Sequence, residues 1–154
     1  MNTTSQQALD QFDEKVIQYL PHRPPMLLVN HLIEISQTHA ISQINLNEQT
    51  PFMTPQGVPA VIGIEYMGQT AALIAGYQLE QGTTQPHLGF LLGTRAYACE
   101  QAYFSNGTEL IVECHEKAIV GDSLATFDCV IKPVGKNQII ATANLSVFRK
   151  PIEQ

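Results

Sequence analysis

The sequence predicts an α+β fold, in which one long helix packs against an antiparallel sheet of about six strands. Residues 57–77, GVPAVIGIEYMGQTAALIAGY, are apolar almost throughout and have the composition of a buried helix. Strand-like runs lie on both sides of this segment, and short turns such as SNG and VGD separate the later ones. Because helices and strands do not alternate along the chain, a curved antiparallel sheet wrapped around the helix is the expected architecture.

The first predicted element is a short amphipathic helix over residues 5–19, with Leu9, Phe12 and Val16 on one face. The prolines of LPHRPP end it, because proline neither continues a helix nor favours one in the residue before it. MLLVNHLIEI and HAISQINLN then read as two antiparallel strands, joined by a turn near Ser36–Thr38.

The long helix is predicted over residues 59–79, with Pro59 in its first turn, where a missing N–H costs nothing. GTTQP ends this helix. Four strand-like runs follow, namely HLGFLLGTRAYACE, ELIVECHEKA, SLATFDCVIKP and QIIATANLSVF. No repeat or change of composition divides the chain, so residues 1–154 are expected to form a single domain.

Charge and cysteine content restrict the partners and the compartment. Eight Lys and Arg residues against fourteen Asp and Glu residues give a net charge of −6, which argues against nucleic acid and anionic membranes as partners. The low charged fraction, 14%, favours an oligomer with a buried interface. Three cysteines are an odd number and favour reduced thiols in a cytoplasmic protein, and the N-terminus lacks the pattern of a signal peptide.

A single carboxylate, Glu65, lies near the centre of the apolar segment. A membrane span is one alternative, since a bilayer requires about 20 apolar residues. Glu65 and Gln69 argue against it, because a carboxylate at the centre of a span costs roughly 3 kcal/mol. Burial in a folded domain raises the pKa of a carboxyl group, which suits a general acid near neutral pH. Gln69, on the same helix face, can orient the Glu65 carboxyl group. The structural alternative is that Glu65 is a buried glutamate whose hydrogen bonds are satisfied, or that it lies at a dimer interface.

The remaining signals for chemistry are weaker. His22 lies in LPHRPP. The alternative to a functional role is a structural one, in which its imidazole forms a hydrogen bond with the backbone of the turn. The patterns CxxC, HxxxH and HExxH are absent, so no metal site is expected. GxSxG and GxGxxG are also absent, which argues against the usual serine hydrolase and dinucleotide sites. Arg23 and Arg95 can meet a phosphate or pair with surface acids.

Several of these segments together resemble one family. LPHRPPMLLVNHLIEI resembles the LPHR-x-P-x-LLVD opening of 3-hydroxyacyl-acyl-carrier-protein dehydratases, and PAVIGIEYMGQ resembles their central-helix motif P-G-V-L-x-x-E-A-M-A-Q. The later strands are similar as well, and the resemblance covers roughly residues 14–150. LGFLLGTR and the proline-rich loop are most similar to the dehydratase-like proteins of aryl polyene clusters.

The resemblance implies a hotdog fold, in which two protomers pair and form tunnels at their interface. It implies loss of water from a 3-hydroxyacyl thioester to give a trans-2-enoyl chain. The substrate would arrive on the phosphopantetheine arm of an acyl carrier protein, with no other cofactor. Glu65 matches the family's catalytic acid. The other residues that we assign to the site are Ala60 and Val61 (backbone donors to the thioester carbonyl), Gln69 and Gly93 (substrate binding), and Arg23, Arg95 and Arg149 (carrier-protein docking).

One departure concerns the catalytic histidine, which the family carries in an H-F-P-G loop before the central helix. Here that loop reads PFMTPQGVP and contains no histidine, whereas His22 matches the LPHR histidine. The base must therefore come from His22 or from a partner. Three hypotheses follow, in this order: a dehydratase subunit that contributes Glu65 to a composite site whose histidine comes from a second hotdog protein, a non-catalytic partner subunit, and a hotdog thioesterase. The chain would form a homodimer, or a heterodimer with that second hotdog protein.

Overall fold

The computed structural model describes residues 8–85, 87–121 and 123–152. Helix α1 spans Glu14–Tyr19, and helix α2 spans Gly63–Glu80 after a 3₁₀ turn at Ala60–Ile62. The strands are β1 (His31–Ile35), β2 (His39–Asn45), β3 (Val58–Pro59), β4 (His87–Thr94), β5 (Ala98–Cys99), β6 (Tyr103–Phe104), β7 (Glu109–Val120), β8 (Leu124–Pro133) and β9 (Ala141–Pro151).

The large sheet has seven strands in the order β1-β2-β7-β8-β9-β4, with β5 added beside β9. Each pair of neighbouring strands is antiparallel. Strands β3 and β6 form a separate two-stranded sheet, which the sequence did not predict. The predicted α+β class is confirmed: one long helix lies against a large antiparallel sheet, which is the hotdog arrangement.

The core forms between α2 and the inner face of this sheet. Alternate residues of three strands are buried there: Leu110, Val112 and Cys114 of β7, Ala125, Phe127, Cys129 and Ile131 of β8, and Ala141, Ala143 and Leu145 of β9. From α2, Tyr66, Met67, Leu73 and Ile74 are fully buried. Full burial of each large apolar side chain contributes about 1.5–3 kcal/mol, so this interface accounts for much of the stability of the domain.

The predicted helix over residues 5–19 is interrupted, and its first residues lie outside the described part of the chain. Residues 8–10 are helical, but α1 begins only at Glu14. The cause is Asp13, whose carboxylate accepts a hydrogen bond from the Leu32 amide at 2.9 Å and contacts His31 Nδ1 at 2.9 Å. The Asp13 amide also donates to the Asn30 carbonyl, so β1 holds this residue in an extended conformation.

The C-terminal end of the long helix agrees with the prediction, but the helix begins at Gly63, and Pro59 lies in β3 instead of in the first helical turn. The position of Glu65 also differs from the prediction. Glu65 lies in the first turn of α2 rather than near the centre of a helix, because the residues before Gly63 form the 3₁₀ turn and strand β3. The N-terminus of α2 therefore lies next to this carboxyl group. Within the described ranges, none of the helices has the length and apolar character required to cross a membrane.

Candidate functional site

A cavity of about 510 Å³ runs along one side of α2, and we call it the α2 groove. Its floor carries the small residues Gly68, Ala72 and Ala75, at a helical spacing that places them on one face. Because these side chains are small, they leave space between the helix and the sheet. Apolar side chains of the sheet, including Phe127 and Val147, form the opposite wall.

Glu65 and His22 both line the α2 groove, and the structure thus brings together two residues 43 positions apart. Glu65 is partly exposed to the groove and is not sealed in the core, which corrects the expectation of complete burial. His22 approaches from the segment that follows α1, and the Glu65 charge acts on it electrostatically. A carboxyl group and an imidazole therefore line the same, largely apolar groove.

The environment of His22 keeps its imidazole neutral. Burial lowers the pKa of His22 below its usual value of about 6.5; the Glu65 carboxylate opposes this effect and Arg23 reinforces it. Its Nδ1 atom is buried, and no described residue forms a hydrogen bond with it. Nε2 is then the nitrogen that can meet a ligand, and a neutral imidazole can accept a proton there.

Gln69 joins the two functional segments. Its Nε2 donates hydrogen bonds to Glu65 Oε1 at 3.1 Å and to the Met26 carbonyl at 2.8 Å. Its Oε1 accepts a hydrogen bond from the Leu28 amide at 2.9 Å. Gln69 is fully buried and is not among the described residues that line the groove, so the structure gives it a positioning role instead of the predicted contact with substrate.

The predicted backbone donors require correction. The Ala60 amide donates to the Ala102 carbonyl at 2.9 Å, because the chain here continues the ladder between β3 and β6. It is therefore already engaged. Val61 is 63% exposed, and neither residue is among the described ones that line the α2 groove. Gly93 also lies outside that lining: it occupies a bulge of β4 with φ +142°, where its neighbour Leu91 faces the groove.

The three arginines assigned to carrier-protein docking differ in their exposure to solvent and in the groups that they contact. Arg23 is exposed and lines the groove, and its guanidinium donates to the backbone carbonyls of Leu20 and His22. Arg95 is exposed as well. Arg149 is 8% exposed and its guanidinium pairs with Glu116 at 3.0 Å, so its charge is not available at the surface. The burial of Arg149 and its pairing with Glu116 argue against a docking role for this residue.

Sequence reasoning missed most of the groove. Its walls come from strands β4, β8 and β9, which meet α2 only after the sheet has formed, so no local pattern marks them. The spacing of Gly68, Ala72 and Ala75 was the available signal. In the described part of the chain, no group of three His, Cys, Asp or Glu side chains is arranged as a metal site.

Comparisons with known proteins agree with this geometry. A family model described as ApeP-like, ApeP dehydratase, matches residues 14–154. The 3-hydroxyacyl-[acyl-carrier-protein] dehydratase FabZ of Magnetococcus marinus is 36% identical over 70 residues, which are 42% of this chain and 46% of that protein. The match thus spans about half the length of this relative. FabZ of Acinetobacter baylyi is 24% identical over 146 residues, 92% of this chain and 96% of that protein.

One of the similar solved structures also comes from a dehydratase complex. A chain of the dehydratase heterocomplex ApeI:P from Xenorhabdus doucetiae superposes with a TM-score of 0.79 at 26% identity, covering 90% of this chain and 91% of that one. An HP0420 homologue from Helicobacter felis has a TM-score of 0.64 at 10% identity, with coverages of 92% and 90%, and supports the fold alone.

Proposed function

This chain belongs to the ApeP-like dehydratase family, and from that premise we propose that it removes water from 3-hydroxyacyl thioesters to give trans-2-enoyl thioesters. The observation that carries the proposal is that Glu65 and His22 line the same groove and that the Glu65 charge acts on His22. The elimination needs one group to take a proton from C2 and another to protonate the departing hydroxyl. An apolar groove beside these groups suits an acyl chain.

We assign the base to His22 and the acid to Glu65. Neutral His22 takes the C2 proton on Nε2 while the electron pair of that C–H bond forms the C2–C3 double bond. The C3–O bond breaks, and the Glu65 carboxyl gives its proton to the departing oxygen, so that water leaves. Transfer of the proton from His22 to the Glu65 carboxylate then restores both groups. Gln69 holds Glu65 and the chain after His22 in place.

The thioester end of the substrate faces the mouth of the groove near Arg23. Arg23 and Arg95 are exposed cations on a chain of net charge −6, and they support docking of an acyl carrier protein through its acidic surface or its phosphopantetheine phosphate. The three cysteines form no disulfide, in keeping with the cytoplasmic location that the sequence predicts.

We place the chain in a complex with a second hotdog subunit. The heterocomplex ApeI:P among its structural neighbours supports this assembly. Strand β4 is an edge strand of the described sheet, and Leu92 on it is 63% exposed. An exposed apolar edge strand is a site at which another sheet can add. The partner would complete the assembly, while the acid and base come from this chain.

Single-substitution kinetics test the proposed chemistry. The purified protein, with any subunit that co-purifies, is given a 3-hydroxyacyl pantetheine thioester, and loss of water is followed by mass spectrometry. Glu65→Gln and His22→Gln should each reduce the rate by about 10²–10⁴-fold, the range for a lost acid or base. Glu109→Gln, an exposed carboxylate at the start of β7, should leave the rate unchanged.

The same assay separates the alternatives. A Glu65→Gln protein as active as the wild type would show that the chain is a non-catalytic partner. Release of free thiol that depends on Glu65, without loss of water, would show a thioesterase.

A further inference from the structure

A hydrogen-bonded pair of hydroxyl groups lies in the core, where α2 packs against β2. Ser42 Oγ and Thr70 Oγ1 are 2.7 Å apart, and both residues are fully buried. On β2, Ser42 stands between Ala40 and Ile44, so the neighbouring inward positions of this strand are apolar. A polar contact therefore occurs at a place where the pattern of the strand otherwise puts apolar side chains.

The direction of this hydrogen bond follows from the other bond that Thr70 makes. Its hydroxyl group donates to the Tyr66 carbonyl at 2.8 Å, one turn earlier in α2. Because a hydroxyl group has a single hydrogen, Thr70 Oγ1 accepts the bond between the two hydroxyl groups and Ser42 Oγ donates it. The bond thus joins β2 to the turn of α2 that begins directly after Glu65.

The segment that follows His22 is tied to both of these elements. Gln69 of α2 accepts a hydrogen bond from the Leu28 amide at 2.9 Å. Two residues later, the Asn30 amide donates to the Gln43 carbonyl of β2 at 3.1 Å. The segment is therefore held to α2 at one point and to β2 at another.

The hydroxyl pair closes these contacts into a ring. Thr70 follows Gln69 in α2, and Ser42 precedes Gln43 in β2, so adjacent residues make the successive bonds. We call the closed set the three-element frame. Its bonds are Leu28 to Gln69, Asn30 to Gln43 and Ser42 to Thr70.

Stability alone does not account for the hydroxyl pair. Replacing both partners of a buried hydrogen bond by apolar groups of the same shape is often nearly neutral. Apolar packing has no preferred direction, whereas a hydrogen bond weakens steeply when its geometry changes. A buried polar contact can therefore specify the register of two packed elements, here of α2 against β2, more sharply than the apolar contacts around it.

We propose that Ser42 and Thr70 are positioning residues for the dehydration, because their hydrogen bond sets the place of Glu65 relative to His22. The inference rests on the proposed function and goes beyond it, since neither residue is among the described ones that line the α2 groove. Without this bond, α2 can shift against the segment that follows His22. A misplacement of about 1 Å can slow a reaction by about 10²-fold.

Steady-state kinetics give the first test. Ser42→Ala removes the bond between the hydroxyl groups and leaves Thr70 bonded to the Tyr66 carbonyl, so no buried donor loses its partner. We expect kcat for loss of water from a 3-hydroxyacyl pantetheine thioester to fall about tenfold, with KM changed less than about twofold, because alignment changes and the groove lining does not. Ser42→Ala with Thr70→Val should behave alike, whereas Thr70→Ser keeps both bonds and should retain the wild-type kcat.

Hydrogen exchange of single amides, followed by NMR, gives a second test that does not depend on turnover. If the frame is one unit, losing the Ser42 bond loosens the bond from the Leu28 amide to Gln69. We expect the Leu28 amide to exchange about tenfold faster in Ser42→Ala. The Leu145 amide, in the centre of β9, should keep its wild-type rate, since a general loss of stability would accelerate both amides.

A matched control is Ser146→Ala, the same substitution on the face of the sheet that points away from α2. Ser146 lies between Leu145 and Val147, which face inward. This variant should keep the wild-type kcat and the wild-type exchange rate at Leu28.

A wild-type kcat in Ser42→Ala would overturn the positioning role, as would exchange that accelerates equally at Leu28 and Leu145. Loss of water by the wild type, together with an unchanged kcat in Ser42→Ala, would leave the proposed function in place and remove only the positioning role. A wild type that removes no water would contradict the proposed function. Faster exchange at Leu28 alone would then still establish the three-element frame.

Discussion

At the scale of single residues, the polar groups of the site differ in whether their atoms have hydrogen-bond partners. Glu65 is held by Gln69, whereas His22 Nδ1 lacks a partner in the described chain. The sequence could predict Glu65, because one carboxylate in an apolar helix is conspicuous. It could not predict that His22 lies beside it, since hydrogen bonds from Gln69 to backbone at Met26 and Leu28 fix that segment.

The lowered pKa of His22 predicts the pH dependence of activity. The base is neutral above its pKa, so the acidic limb of kcat/KM should have an apparent pKa below the usual 6.5 of histidine. Measuring kcat/KM across this range gives the value directly. If the apparent pKa of the acidic limb lies above 6.5, and the residual activity of His22→Gln has the same acidic limb, the titrating group is not His22.

The same shift predicts how stability varies with pH. Because the folded state binds a proton at His22 less readily than the unfolded state does, the stability is highest above the unfolded pKa. It falls as the pH drops through about 6.5 towards the folded pKa and changes no further below that. Urea unfolding of wild type and His22→Gln should therefore show a smaller loss in the variant over this window. Parallel pH profiles would contradict the assignment.

Tyr66 offers a test of the core next to Glu65. Its side chain is fully buried, burial raises its pKa, and no described residue bonds to its hydroxyl. Tyr66→Phe should raise the free energy of unfolding by about 1 kcal/mol, because a buried unsatisfied hydroxyl is removed. Tyr97→Phe, which loses a hydrogen bond to the Ala60 carbonyl, should lower it by about 1 kcal/mol. Destabilisation by Tyr66→Phe would mean that its hydroxyl is satisfied.

At the scale of elements, two of the three glycines in α2 differ in how closely a neighbouring element packs against them. A Cβ at Gly76 would lie 2.5 Å from both the Cβ and the carbonyl oxygen of Tyr19, so glycine is needed where α1 crosses α2. A Cβ at Gly68 would meet the Leu91 side chain at 3.4 Å, an ordinary contact. The sequence identified both as small residues but could not separate them, because the difference lies in the partner element.

Gly76→Ala should lower the free energy of unfolding by about 1–3 kcal/mol, since backbone atoms of α1 must move. It should also reduce dehydration, because the segment that follows α1 carries His22. Gly68→Ala is the matched substitution in the same helix and should raise stability by about 0.5–1 kcal/mol through helix propensity. Equal effects of the two substitutions in urea unfolding would contradict the packing described here.

The element boundaries were predictable where the pattern is local. The strand-like runs predicted most of β7, β8 and β9, and apolar composition predicted most of α2. Two features were missed because distant partners decide them: the break before α1, which Asp13 imposes by binding β1, and the β3–β6 ladder, which occupies the Ala60 amide. The pairing of Arg149 was missed for the same reason, since its partner Glu116 lies on another strand.

At the scale of the whole molecule, the sheet ends in an exposed strand, β4, next to the groove. The strand proposed for assembly therefore lies next to the groove proposed for catalysis. Leu92→Lys should prevent association at this edge, because a charged lysine on an edge strand opposes pairing with another sheet. Native mass spectrometry should show a complex for the wild type and a single chain for the variant. An unchanged complex would place the interface elsewhere.

Mixing two inactive variants tests most directly the claim that one chain supplies both acid and base. Glu65→Gln and His22→Gln proteins are mixed, allowed to exchange subunits, and assayed for loss of water from a 3-hydroxyacyl thioester beside the wild type. We expect an active wild type and no recovery in the mixture, because each groove is lined by both residues of the same chain. Recovered activity would show that Glu65 and His22 act across two chains and would contradict the account.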